Sequence, residues 1–362
     1  MTWRFNPCPE PQRGAAIHIG TQHLTGDDWT QYQALAQLGV THVSANPPGD
    51  WQTWTAPVLR EFKERLAGLG VALDMVMLPL GSVAAPRNQA PHVFLGPPEA
   101  RDREIDQICE LIRSLSLAGI GAARYNTAFL GHFRTADRLG RGGARLPSFE
   151  FAQWAGAVPN AADLAQHPHD EAALLEVAAH GPLSADDQWE RIDYFLGRVV
   201  PLAEEYRVRL ACHPEDPGLG DRGHYGIARV MGTVAGLKRF ITLHASPYHG
   251  LNFCVGSVAE MLEKPGEDLY EIVRYFGERG KLFNIHFRNI KGGLLDFVEV
   301  FPDEGDVDMR AVLQVLKEVG YAYMLMPDHV PLISGAAPQH VAFAYCFGYV
   351  RALLQTLDVR EA

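Results

Sequence analysis

Short apolar runs alternate with amphipathic stretches of helical period along most of this chain, and that rhythm restricts the fold more than any other feature. The strand candidates are Gly14–Ile19, Thr41–Ala45, Ala72–Leu78, Ile120–Tyr125, Val208–Cys212, Phe240–His244, Leu282–Phe287 and Tyr323–Met326. Between them the spacing predicts helices over Asp27–Leu38, Ala56–Leu69, Ile105–Leu117, Gln188–Tyr206, Leu269–Gly277 and Met309–Val319. Strand–helix alternation builds a parallel sheet, because each strand needs a crossover to return in the same direction. Leu38-Gly39, Leu69-Gly70 and Val319-Gly320 put glycine where a helix ends in the left-handed conformation. Eight such units predict an α/β fold of the closed (β/α)8 barrel type. The competitor is an open doubly wound sheet, which commonly begins with a glycine-rich phosphate loop. Here the first strand runs into AIHIGTQHL, without GxGxxG.

The rhythm fails between about residues 126 and 186, after the fourth predicted strand. A segment of that length inside a compact domain is commonly functional. It is expected as an insertion, or lid, over the C-terminal mouth of a single TIM-barrel domain spanning 1–362. The formal charge of −11 argues against a nucleic-acid partner, since phosphate binding needs a basic surface. It leaves room for an anionic small molecule in a locally basic cleft. Five scattered cysteines without CxxC are no disulfide framework. With no apolar leader and no run of roughly 20 apolar residues, neither a secretory signal nor a membrane span is expected, and the expected location is cytoplasmic.

In a parallel barrel, side chains at the C-terminal ends of strands converge on one mouth. The segments ACHPEDPG, NFCVGS, FNIHFRNI and LMPDHVP place His213, Cys254, His286 and Asp328 at or near such ends. Two imidazoles, a thiolate and a carboxylate suit one divalent ion such as Mn2+, Fe2+, Co2+, Ni2+ or Zn2+. Taken singly, each residue has a blander reading: a hydrogen-bonded histidine, a small buried cysteine, an aspartate capping a turn. Their joint placement is what favours ligation. Cys212 is expected in the barrel wall, and Cys254 on the loop ten residues after His244. Arg124, Asn126, Arg288, Asn289 and Lys291 are candidates to hold an oxygen-rich anion; the alternative for the two arginines is a salt bridge to Glu215 or Asp216. His329, next to Asp328, is placed to move a proton. His18, His23, His42, His244 and His249 are weaker candidates for the same mouth, and the acidity of 300–309 suits the cap of a helix starting near Asp308.

Together these motifs resemble the mannonate dehydratase family among the xylose-isomerase-like barrels. HPEDP, CVGSVAEM, IHFRNIKG, EVFPDEGDVDM, MPDHVP and AYCFGYVRALL carry the resemblance over about 205–355, with RYNTAFL as an upstream echo. It implies a lyase that dehydrates D-mannonate, or a related aldonate, to 2-keto-3-deoxy-D-gluconate in hexuronate breakdown. It implies one divalent metal, Mn2+ first, on His213, Cys254, His286 and Asp328, with His329 as acid/base residue and no organic cofactor. The family's tyrosine after the Asp-His pair falls near His340 here. HPEDP in place of HPDDPP, the PDHVPLISG loop and the GRGGARLP insertion are departures that bear on the sugar bound. The expected partner is a small-molecule sugar acid, with no nucleic acid and no membrane, and with a homo-oligomer left open. A sugar isomerase or epimerase on the same barrel, or a non-catalytic metal-dependent sugar-acid-binding protein, are the alternatives.

Overall fold

The computed structural model describes residues 17–25, 28–153, 176–177, 179–224 and 226–357. Twelve strands are found among them: β1 (His18–Thr25), β2 (His42–Asn46), β3 (Ala72–Met77), β4 (Ala122–Asn126), β5 (Thr135–Leu139), β6 (Arg145–Glu150), β7 (Arg209–His213), β8 (His249–Cys254), β9 (Leu282–His286), β10 (Asn289–Gly293), β11 (Asp296–Val300) and β12 (Met324–Met326). Eight of them close into a parallel barrel in the order β1-β12-β9-β8-β7-β4-β3-β2. The closed α/β barrel is the architecture expected from the alternation.

The helices follow the sequence periodicity. Ala56–Gly68, Pro98–Leu117, Ala185–Tyr206, Pro265–Gly277 and Met309–Glu318 each bury an apolar stripe against the barrel. Gly39, Gly70 and Gly320 sit at φ of +77°, +82° and +74°, so the helix stops hold. Asp308 accepts hydrogen bonds from the Arg310 and Ala311 amides and caps its helix as expected.

One strand was misread. Phe240–His244 is the end of the helix Val234–Phe240 and a turn, not a strand. The sixth barrel strand is β8, and Cys254 is its last residue rather than a loop residue. The segment 234–244 is as apolar as a strand, and its helical contacts lie outside its own sequence.

Alternation along the strands sorts the barrel interior into levels. Met75, Ala122, Ala211, Phe283, Met324 and Met326 form a separate buried apolar floor. Glycine at 250 makes room for this floor, since a Cβ there would stand 2.7 Å from the Phe283 ring. Above it the inward side chains turn polar: Ser44, Arg124, Asn252 and Asn284, then Asn126, His213, Cys254, His286 and Asp328. Cys212 points outward into the wall core, and burial pushes its thiol up to about 12.

The broken rhythm after β4 resolves into structure. β5 and β6 join β10 and β11, which follow β9, in an antiparallel sheet ordered β10-β11-β6-β5. The β10–β11 hairpin was not anticipated. Residues 154–175 of the expected insertion lie outside the described residues.

Candidate active site

His213 closes β7, Cys254 closes β8, His286 closes β9, and Asp328 follows β12 by two residues. One ligand atom from each lies within 4.8 Å of all the others. His213 Nε2 is 3.2 Å from His286 Nδ1, which is 3.4 Å from Asp328 Oδ2; Cys254 Sγ is 4.0 Å from the same oxygen. Three of these residues are buried and His213 is half-buried.

Each donor is held from behind. His213 gives its Nδ1 proton to the Pro214 carbonyl at 2.6 Å, which turns the Nε2 lone pair to the centre. His286 Nε2 is 3.1 Å from the Asn252 side-chain amide, itself hydrogen-bonded to Asn284 at 2.8 Å. The Asn252 oxygen accepts from Asn284, so its Nδ2–H faces Nε2 and fixes the plane of the ring, whose Nδ1 points inward. Gln22 Nε2 donates to Asp328 Oδ1 at 2.6 Å, leaving Oδ2 facing inward. The Cys254 sulfur accepts from the Ser257 amide at 3.3 Å and from Arg288 Nη2 at 3.5 Å. Burial alone would push its thiol up; the Arg288 guanidinium and His286 outweigh that and hold it below the usual thiol range. Ligand atoms thus converge while their other faces are occupied. The set fits a borderline divalent cation.

Behind the ring lies a second cluster. Arg288, only 2% exposed, donates to Asp216 at 2.6 Å and to Glu299, and stands 3.1 Å from Glu260. Arg134, from the segment after β4, bonds Asp216 at 2.5 Å and the same Glu299. Gly256 lets the Arg288 guanidinium pass, since a Cβ there would lie 2.6 Å from Nε. Burial pushes the Glu260 carboxyl well up, and the neighbouring Asp216 adds to this. The two guanidinium groups thus meet the carboxyl groups of Asp216, Glu260 and Glu299 directly.

Glu299 on β11 also reaches His329, with its oxygens 2.9 and 3.0 Å from Nδ1. Burial would lower the imidazole's pKa, but Asp328 and Glu299 raise it to about 9. His132 stands beside it with ring centroids 5.0 Å apart, and burial with nearby Arg134 lowers its pKa to about 3. One histidine is a proton donor at neutral pH and its neighbour is neutral. Neither Glu299 nor His132 stood out in the sequence: one is mid-strand in a hairpin, the other in a rhythm-free segment.

The remaining candidates divide. Arg124 and Asn126 line the cleft with His213, His286 and Asp328. Arg288 takes up the salt-bridge alternative and is enclosed by carboxylates. Asn289 spends its amide on Pro302, Val307 and Ile290 backbone groups, so it braces a loop. Lys291 is exposed on β10. His340, exposed in the first turn of the helix Pro338–Thr356, lines a wider cavity of about 540 Å³ shared with His329. His18 and His42 stack at 3.8 Å as the first residues of their strands, the opposite end from the mouth. His244 bonds Asp193, and His249 is buried against the Phe240 carbonyl. The side chain of His23 lies outside the described residues.

The fold has counterparts. A mannonate dehydratase from Streptococcus suis serotype 2 superposes with a TM-score of 0.77, covering 96% of this chain and 97% of that one at 23% identity. At that identity the likeness shows the fold alone, as does that of the 3-keto-D-glucoside 4-epimerase YcjR from E. coli, with a TM-score of 0.55, 13% identity and coverage of 93% and 99%. In sequence, mannonate dehydratase 2 of Halalkalibacterium halodurans is 28% identical over 294 residues, 78% of this chain and 80% of that one. The mannonate dehydratase of Thermotoga maritima is 27% identical over 338 residues, 85% and 87% of the two chains. No helix among the described residues is long and apolar enough to cross a membrane. The family model described as D-mannonate dehydratase (UxuA) matches residues 33–360, and the chain is an enzyme that belongs to this family.

Proposed function

We propose that the protein dehydrates D-mannonate, or a closely related aldonate, to 2-keto-3-deoxy-D-gluconate, or the corresponding 2-keto-3-deoxy acid, and water. The observation that carries this reading is the ring of four convergent donors with His329 directly beside it, in a chain of the mannonate dehydratase family. His213, Cys254, His286 and Asp328 would hold one divalent ion, Mn2+ first among the borderline cations. Bound there, the ion supplies Lewis acidity that stabilises negative charge developing at the sugar acid's carboxylate end.

The chain's own groups do the rest. Gln22 and Asn252 orient Asp328 and His286, and Arg288 with the Ser257 amide holds the Cys254 sulfur in place. His329, held by Glu299, gives its proton to the C3 hydroxyl as that group departs as water. Removal of the C2 proton needs a second group. His132 stands beside His329, and His340 lines the outer cavity with it. A larger loss of turnover in His132→Asn than in His340→Ala assigns that step to the inner histidine, and the reverse order assigns it to His340.

The test is incubation of metal-loaded protein with a panel of hexonates and hexuronates. A product lighter by one water and positive with semicarbazide supports the reading. A product of unchanged mass makes the protein an isomerase or epimerase; metal-dependent binding without product makes it a binding protein.

A further inference from the structure

Four arginines are buried among the described residues: Arg124, Arg134, Arg229 and Arg288. Three have carboxylate partners, since Arg134 and Arg288 share Asp216 and Glu299, and Arg229 stands 3.9 Å from Glu215. Arg124 is the exception. Its hydrogen bond runs from Nε to Ser44 Oγ at 2.8 Å, and no described carboxylate lies within ion-pairing distance. It is 8% exposed, yet it lines the cleft beside His213, His286 and Asp328. Burial lowers its pKa only to about 10, against a smaller opposing pull from Asp328, so it remains a cation at neutral pH.

A buried charge without a partner is costly, and folds keep one mainly where a ligand completes the pair. Position adds to this. Arg124 is the middle residue of β4, one level below Asn126, and Ser44 on β2 ties down its Nε edge. The two Nη groups are thereby left for the cleft. With the Asp328 carboxylate committed to a divalent ion, the Arg124 guanidinium adds positive charge to the cleft wall. A monoanion offsets that charge and a neutral sugar does not. The planar guanidinium fork matches the two oxygens of a carboxylate.

We propose that Arg124 is the specificity-determining residue that anchors the C1 carboxylate, so that this barrel selects an aldonate over a neutral sugar of the same length. The inference rests on the dehydratase reading for the ligand's place beside the metal ring, and adds which ligand group is recognised and by what. Ser44 acts as a positioning residue that aims the fork.

The experiment titrates metal-loaded protein with D-mannonate and with D-mannonamide, its neutral C1 amide, in a His329→Ala background where turnover is slowed. The acid is expected to bind roughly 100-fold more tightly than the amide. Adding Arg124→Gln should bring that ratio below about tenfold with metal content unchanged, and Arg124→Lys should fall between. Because the charge has no partner in the ligand-free protein, Arg124→Gln should match or exceed its parent in Tm, the opposite of a structural ion pair. An undiminished ratio in the metal-replete Gln variant overturns the proposal; if that variant does not fold, an unchanged ratio in Arg124→Lys does so. If wild-type protein eliminates water from no hexonate while the acid preference still vanishes with Arg124, the dehydratase reading falls and this one stands. Normal elimination with an unchanged ratio is the reverse, and no measurable binding of the acid overturns both.

Discussion

The donor ring and the ion-pair cluster behind it are built from similar kinds of side chain, stand within one side chain of each other, and are opposite in design. In the ring, His213, Cys254, His286 and Asp328 turn ligand atoms toward a common centre while Pro214, Ser257, Asn252 and Gln22 occupy their outer faces. In the cluster, Arg134 and Arg288 meet Asp216 and Glu299 directly. One group aims its ligand atoms at a shared centre and the other pairs its charges among its own members. Clustering of titratable residues therefore says little about ligand binding until the direction of each lone pair is known.

The largest effect that can break this contrast is expected in the ring. Asp328→Ala or His213→Ala should lose bound metal and at least about 1,000-fold in activity together, checked by elemental analysis alongside the keto-acid assay. Retained turnover in either variant would falsify the ligand assignment. His329→Ala should cost about 100- to 10,000-fold in kcat with metal content intact, which separates proton transfer from ligation. Glu299→Gln tests the border between the two regions. It should cost about 10- to 100-fold in activity with metal retained, and about 3–5 kcal/mol in denaturant unfolding, because Arg134 and Arg288 lose a shared buried counter-charge. An unchanged unfolding midpoint would mean that the cluster is not held by charge. The smallest effect is expected from a chelator. It should lower the Tm of the metal-loaded wild type by a few degrees and leave Asp328→Ala unmoved, since only the native ring binds the ion.

The convergence of these four side chains is legible in the sequence because it depends on strand ends, and strand ends depend on local rules. A strand alternates its side chains, a barrel gathers its C-terminal ends, and four segments presented donors there. Cys254 shows how robust that logic is. It was assigned to a loop after a strand at Phe240–His244, whereas it ends β8, and in both cases the mouth is where it arrives. Arg288 and Asn289 show its limit. Both follow β9 next to a donor, and the side-chain period correctly put Arg288 on the side of His286. What each faces there was decided by β11, by the loop to Val307 and by the segment holding Arg134, all remote in sequence.

Period, glycine stops and caps are properties of a few consecutive residues, so the chain alone determined the barrel, most of its helices and the four donor positions. The joining of 135–150 with 289–300 into one sheet, the enclosure of Arg288, the seating of Glu299 against His329 and the solitude of Arg124 were settled only by tertiary structure. Each depends on which charge meets which across a folded distance, and pairing energies between remote groups leave no period or spacing in the sequence.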